Sequence, residues 1–99
     1  MRIILEDENR NLIKQIPILT PDFGKLCWEF TQNSKLLKYI DPYGDTVFNH
    51  LQMDDLIAEI TDLLNTHGFK YPNNYLKDIL ILAKECKDGI HKYIRFYGD

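Results

Sequence analysis

Long apolar runs are missing from this sequence. The longest, Ile79 to Ala83, covers five residues, whereas a helix that crosses a bilayer needs about 20, so no membrane partner is expected. The opening Met1-Arg2-Ile3-Ile4-Leu5-Glu6-Asp7-Glu8 turns acidic early and has no small-residue cleavage site, unlike a secretory signal; a cytoplasmic location is expected. Cysteine is scarce. Cys27 and Cys86 stand far apart, with no C-x-x-C and no His at zinc-finger spacing, which argues against a redox motif or a structural zinc site. Both read as reduced core thiols, since a disulfide between them would be out of place in a cytosolic chain. The five glycines are scattered and form neither a P-loop nor a dinucleotide fingerprint. Positive charge is not in excess either: twelve Lys and Arg against fifteen Asp and Glu leave a net charge of −3. Such a balance provides no general attraction to phosphate backbones, and nucleic acid is not expected as a partner.

What is present suits one core. A chain of 99 residues, 44% hydrophobic and 27% charged, has the ordinary globular mix and the length for a single domain spanning 1–99. Arg2 to Glu6 and Leu12 to Ile16 are rich in Ile and Leu and flank Asp7-Glu8-Asn9-Arg10-Asn11, which predicts an N-terminal β-hairpin, with Pro17 ending its second strand or holding it to an edge. Residues 20–31 support two readings. Thr20-Pro21-Asp22 resembles a helix start, with Phe23, Leu26, Cys27 and Phe30 at helical spacing; Gly24 and the alternation of Leu26, Trp28 and Phe30 favour a half-buried strand. The strand is given slightly more weight.

Leu36 to Ile40 is a short apolar-polar run ending in Asp41-Pro42-Tyr43-Gly44-Asp45, a turn in which Pro presets one dihedral and Gly accepts a positive φ. Residues 46–53 then read as a short helical lead-in capped by Asp45 or Thr46. From Met53 to His67 the pattern is helical, with Leu56, Ile57, Ile60, Leu63 and Leu64 on one side and Gly68 as the stop. A second helix runs from Asn73 or Asn74 to about Asp88, with Tyr75, Leu76, Ile79, Leu82, Ala83 and Cys86 inward and Ile81 outward. Ile90 to Tyr97 closes the chain as a strand, with Ile90, Ile94 and Phe96 on one side and His91, Tyr93, Arg95 and Tyr97 on the other. The expected class is α+β: a hairpin, further short strands, two amphipathic helices packed on a small sheet, and a C-terminal strand.

Residues able to carry chemistry form no compact motif. His50, His67 and His91 match no metal-ligand spacing, and His67 is read as structural, where a cation complements its helix end. Neither a nucleophile elbow nor an EF-hand pattern occurs, and no metal or cofactor is expected. One polar segment stands out, the loop holding Asp41, Asp45, Thr46, Asn49 and His50; paired carboxylates could meet a cation or do acid-base work, although Asp in a Pro-Gly turn ordinarily bonds its own backbone. Two surfaces are better suited to binding. Asp55, Glu59 and Asp62 share the helix face opposite its apolar side, where like charges bring no structural benefit and would suit a basic partner. On the last strand Tyr93, Arg95 and Tyr97 are of the types enriched at interface hot spots, with Arg2 and Lys92 nearby. No RRM or OB motif accompanies them, and an ordinary covered sheet face explains them as well.

The run Tyr39-Ile40-Asp41-Pro42-Tyr43-Gly44-Asp45-Thr46-Val47-Phe48-Asn49, together with the ending Phe96-Tyr97-Gly98-Asp99, resembles a group of short, uncharacterised bacterial proteins. The resemblance covers these two motifs and not the chain between them. By size and acidity it extends to immunity proteins, and implies a toxin-binding role that brings no catalytic residues. The sequence thus leads to a protein-binding module whose partner is a protein, a basic toxin by that resemblance. The alternative is a small ligand-binding domain or enzyme centred on the Asp41–His50 loop. A third reading is a homo-oligomer paired through an open sheet edge or Ile81.

Overall fold

The computed structural model describes residues 1–16, 32–67 and 74–98. The chain begins with a hairpin of β1 (Arg2–Asp7) and β2 (Leu12–Gln15). Asp7 builds the turn: its Oδ1 accepts the N–H groups of Asn9 and Asn11, both at 2.9 Å, and its Oδ2 accepts from Asn11 Nδ2 at 3.1 Å. These bonds, that from the Asn11 backbone foremost, hold the Asp7 carboxyl below its ordinary pKa. Arg10 takes the left-handed position, with φ 65°. The two readings of residues 20–31, Cys27 and the stop at Gly68 lie outside the described residues.

A 3-10 turn at Leu37–Tyr39 precedes β3 (Asp45–Asn49), and a second at His50–Gln52 leads directly into α1 (Met53–His67). Here the expected helical lead-in over 46–53 is corrected. Thr46, Val47 and Phe48 are β-branched or aromatic and pair with the last strand; only residues 50–52 coil, where Asn49 and Gln52 form a reciprocal capping box. The Asp-Pro-Tyr-Gly-Asp turn also differs from expectation, since no described glycine has a positive φ. Gly44 supplies room instead, because a Cβ there would stand 2.6 Å from the Asp41 carboxylate. α2 (Tyr75–Lys87) and β4 (Lys92–Tyr97) complete the fold. Ile90 and His91, expected on the closing strand, sit in the turn before it, and both are exposed.

The four strands form one antiparallel sheet in the order β2-β1-β4-β3, and the two helices pack on one of its faces. This is the α+β arrangement expected from the sequence. Ile3 and Leu5 of β1, Ile94 and Phe96 of β4 and Phe48 of β3 point toward the helices. They meet Met53, Leu56, Ile60 and Leu63 of α1 and the six inward residues of α2 from Tyr75 to Cys86. Each of the Leu, Ile, Phe and Met side chains among them contributes about 1.5–3 kcal/mol relative to leaving it in water. Phe48 and Phe96 meet edge to face, their centroids 5.8 Å apart. Cys86 is a free thiol in this core; burial pushes its pKa up to about 11, and its Sγ donates to the Lys92 carbonyl. No described helix is long and apolar enough to cross a membrane.

Candidate functional site

The acidic helix face borders a groove of about 640 Å³ between α1 and the chain at residues 32–37. Asp55, Glu59 and Asp62 all line it, as do Lys35, Thr66 and His67, so the structure brings the three sequence-selected carboxylates to one concavity. Their chemistry differs sharply. Glu59 is committed to the fold: its carboxylate accepts the backbone N–H groups of Lys35 at 2.7 Å, Leu36 at 3.2 Å and Leu37 at 3.0 Å. Three successive amides converge on one carboxylate and tie the 3-10 turn to α1. Asp55 faces the Lys35 ammonium at 3.7 Å, with both side chains largely in solvent. Asp62 is exposed, and its carboxylate has no partner among the described residues.

At the far end of the groove the Thr66 hydroxyl donates to the Asp62 carbonyl at 2.8 Å and lies 2.8 Å from His67 Nδ1. Asp54, in the first turn of α1, bonds the Lys87 ammonium at 2.7 Å and raises its pKa, joining the two helices. The described lining of the groove is net negative, with Asp55, Glu59 and Asp62 against Lys35.

The second sequence-selected surface lies on the sheet face away from the helices. Cross-strand register sets Arg95 between Ile4 and Val47, and Tyr97 between Arg2 and Asp45. Arg95 Nε donates to Glu6 Oε1 at 2.8 Å, and its Nη1 lies 3.5 Å from Asp45 Oδ2. The side chains of Arg95 and Glu6 are only 15% and 3% exposed. The Arg2 and Arg95 guanidinium groups stand 5.4 and 5.8 Å from the Tyr97 ring centre, and the Arg10 guanidinium is held above its ordinary pKa by its hydrogen bond to Tyr97. Tyr93, half-buried, pairs with Glu6 and Asn49. The charges here answer one another. His91 is not part of this face; its Nδ1 meets Glu8 at 3.0 Å beside the hairpin turn.

The loop at 41–50 is engaged mainly with itself. Asp41 Oδ1 accepts from the Tyr43 N–H at 2.9 Å, whereas Asp45 turns to Arg95, so the two carboxylates serve different partners. Thr46 Oγ1 accepts the Asp41 N–H at 3.0 Å, and Asn49 caps the Leu51 N–H at 3.0 Å. His50 is different: its Nδ1 is buried without a hydrogen bond. No group of three or more His, Cys, Asp or Glu able to hold a metal occurs among the described residues.

The two motifs quoted from the sequence meet in space. β3 pairs with β4 from Asp45 opposite Tyr97 to Asn49 opposite Tyr93, and Gly98 N–H donates to the Gly44 carbonyl at 2.7 Å. A Cβ on Gly98 would come within 2.4 Å of Gly44 N and 2.6 Å of Gly44 O, so any side chain there would force the strand ends apart. Sequence reasoning missed Glu6 and Lys35. An acidic residue in an apolar strand was the available signal for Glu6, but its partner emerges only from the β1–β4 register; nothing in sequence marked the amides that hold Glu59. No family model matches the chain, and neither a curated protein nor a solved structure does.

Proposed function

We propose that this chain is a small cytoplasmic protein-binding module that receives a basic partner on the acidic groove beside α1. The observation that carries this reading is Asp62, an exposed carboxylate without a partner among the described residues, set beside Asp55 in a concave, net negative surface. Charges held open to solvent steer an oppositely charged partner and cost nothing to the core. The resemblance carried by the Tyr39–Asn49 and Phe96–Asp99 sequence motifs supports the finer reading, a toxin-neutralising immunity protein. What supports the alternative, a ligand site at the Asp41–His50 loop, is the buried, unbonded Nδ1 of His50.

The test is affinity capture with two baits, the native chain and the Asp55→Lys/Asp62→Lys double variant, from a lysate that includes the product of the neighbouring reading frame. A stoichiometric basic protein retained by the native bait, lost with the variant and eluted by salt is the expected outcome. Equal retention by both baits, or no stoichiometric partner, overturns the proposal.

A further inference from the structure

The sheet has two edges among its described strands, and they are built differently. β2 is guarded: the β1–β2 ladder slips between Leu5 and Glu6, Lys14 lies within the strand and is drawn to Glu85 of α2, and Pro17 follows in the sequence. Bulges, lysines and prolines are the usual devices that keep a free edge from pairing with another chain. β3 has none of them. Its register with β4 runs unbroken from Asp45 to Asn49, and Asp-Thr-Val-Phe-Asn contains neither Lys, Arg nor Pro.

The phase of the ladder shows which groups face outward. Because Gly98 N–H bonds the Gly44 carbonyl, Gly44, Thr46 and Phe48 direct their backbone groups to β4, and alternation leaves those of Asp45 and Val47 on the open side. The Asn49 N–H, next in that row, is taken by Gln52 Oε1 at 2.9 Å. With Phe48 buried, the exposed large apolar side chains from residue 43 to residue 51 are Tyr43, 76% exposed, Val47, 40%, and Leu51, 78%. They are spaced evenly, four residues to either side of Val47.

We propose that β3 is a self-association edge, pairing antiparallel with β3 of a second copy about a two-fold axis at Val47. In that register Val47 exchanges two backbone bonds with the partner's Val47, and Asp45 stands opposite the partner's Asn49. Tyr43, in the turn before β3, and Leu51, in the 3-10 turn after it, then come to matching ends of the two copies. Charge disfavours the registers on the N-terminal side of this one. An axis at Asp45 would oppose two carboxylates, and an axis at Thr46 would leave them two residues apart; the axis at Val47 separates them by four residues, about 13 Å along the strands, beyond the Debye length of about 8 Å at physiological salt. A foreign strand would not need the even spacing of Tyr43, Val47 and Leu51, whereas a two-fold partner does. The contact uses none of the described residues that line the α1 groove and stands apart from the partner-binding reading.

Sedimentation velocity of the full chain, from low micromolar to about 100 μM, tests it in the range where a modest interface is populated. The native protein is expected to shift with concentration toward twice the 11.7 kDa of one chain. Val47→Lys sets two ammonium groups face to face at the axis and is expected to weaken dimerisation at least about tenfold, with the circular dichroism unchanged. Ile13→Lys on β2 is expected to leave it unaltered. As a second readout, Val47→Cys should form a disulfide-linked dimer on mild oxidation well above the native chain's background, because paired residues lie about 5.5 Å apart between Cα atoms. A native chain that remains monomeric throughout overturns the proposal, as does a dimer dissociated by Ile13→Lys but not by Val47→Lys. Should Val47→Lys fail to fold, absence of the Val47→Cys cross-link overturns it alone.

Discussion

Two surfaces carry the polar side chains that the sequence singles out, and they spend their charge in opposite ways. On the outer sheet face Arg95 is enclosed between Glu6 and Asp45, and three arginines gather around Tyr97. Of the three carboxylates on the groove side of α1, Asp55 and Asp62 remain largely in water, and only Glu59 is drawn into the structure. The difference follows from geometry. A residue on a central strand has neighbours on both sides at fixed spacing, so a charge there finds a counter-charge or is expelled. A charge on the outer stripe of a helix that packs by its other side meets solvent. Composition alone does not identify a free surface; the neighbours that register and packing supply do.

The comparison breaks most visibly at Arg95. Replacing it by Leu leaves the buried Glu6 carboxylate without its cation, and a loss of about 3–5 kcal/mol in urea unfolding is expected. A change under about 1 kcal/mol would mean that the pair adds nothing to the sheet beyond its packing. Glu59 offers a finer distinction within the acidic face. Glu59→Ala withdraws the acceptor of three backbone amides and is expected to cost about 1–3 kcal/mol, while Asp62→Ala stays within about 0.5 kcal/mol, as surface substitutions do. Equal effects at the two positions would erase the division between structural and solvent-facing carboxylates.

The smallest effect concerns the hairpin turn. The carboxyl of Asp7 is held below its ordinary value by the Asn11 and Asn9 amides, so its folded pKa is the lower of the two. It therefore stabilises the fold at pH above the unfolded value of about 3.9, and this contribution is lost as pH falls through the folded pKa. Asp7→Asn should flatten that part of an acid stability profile, because the carboxylate's small contribution is then missing at neutral pH as well. A profile identical to that of the native chain would remove the turn from the acid response.

Much of the secondary structure was legible because it depends on local pattern. α1 occupies the residues its 3.6-residue periodicity predicts, α2 starts and stops within a residue or two of expectation, and Ile81 faces outward as its wheel position requires. The error at residues 46–53 has a physical cause. Asp45 and Thr46 are good cap residues, but β4 offers Val47 and Phe48 a ladder and an aromatic partner that a cap does not. The candidate site was half legible: helical spacing put Asp55, Glu59 and Asp62 on one face, but not the amides of Lys35, Leu36 and Leu37 against the middle one.

By itself the sequence determined the periodic features of this protein, namely an acidic stripe on an amphipathic helix, two apolar helix faces and an aromatic closing strand, because each depends on residues a few positions apart. Only the tertiary structure decided which of those charges are used. Glu6 and Arg95 are 89 positions apart and become a pair through the β1–β4 register, and Glu59 becomes a structural anchor because residues 35–37 fold back on α1. Among the described residues, Asp62 and the open edge of β3 are what the tertiary contacts left unspent.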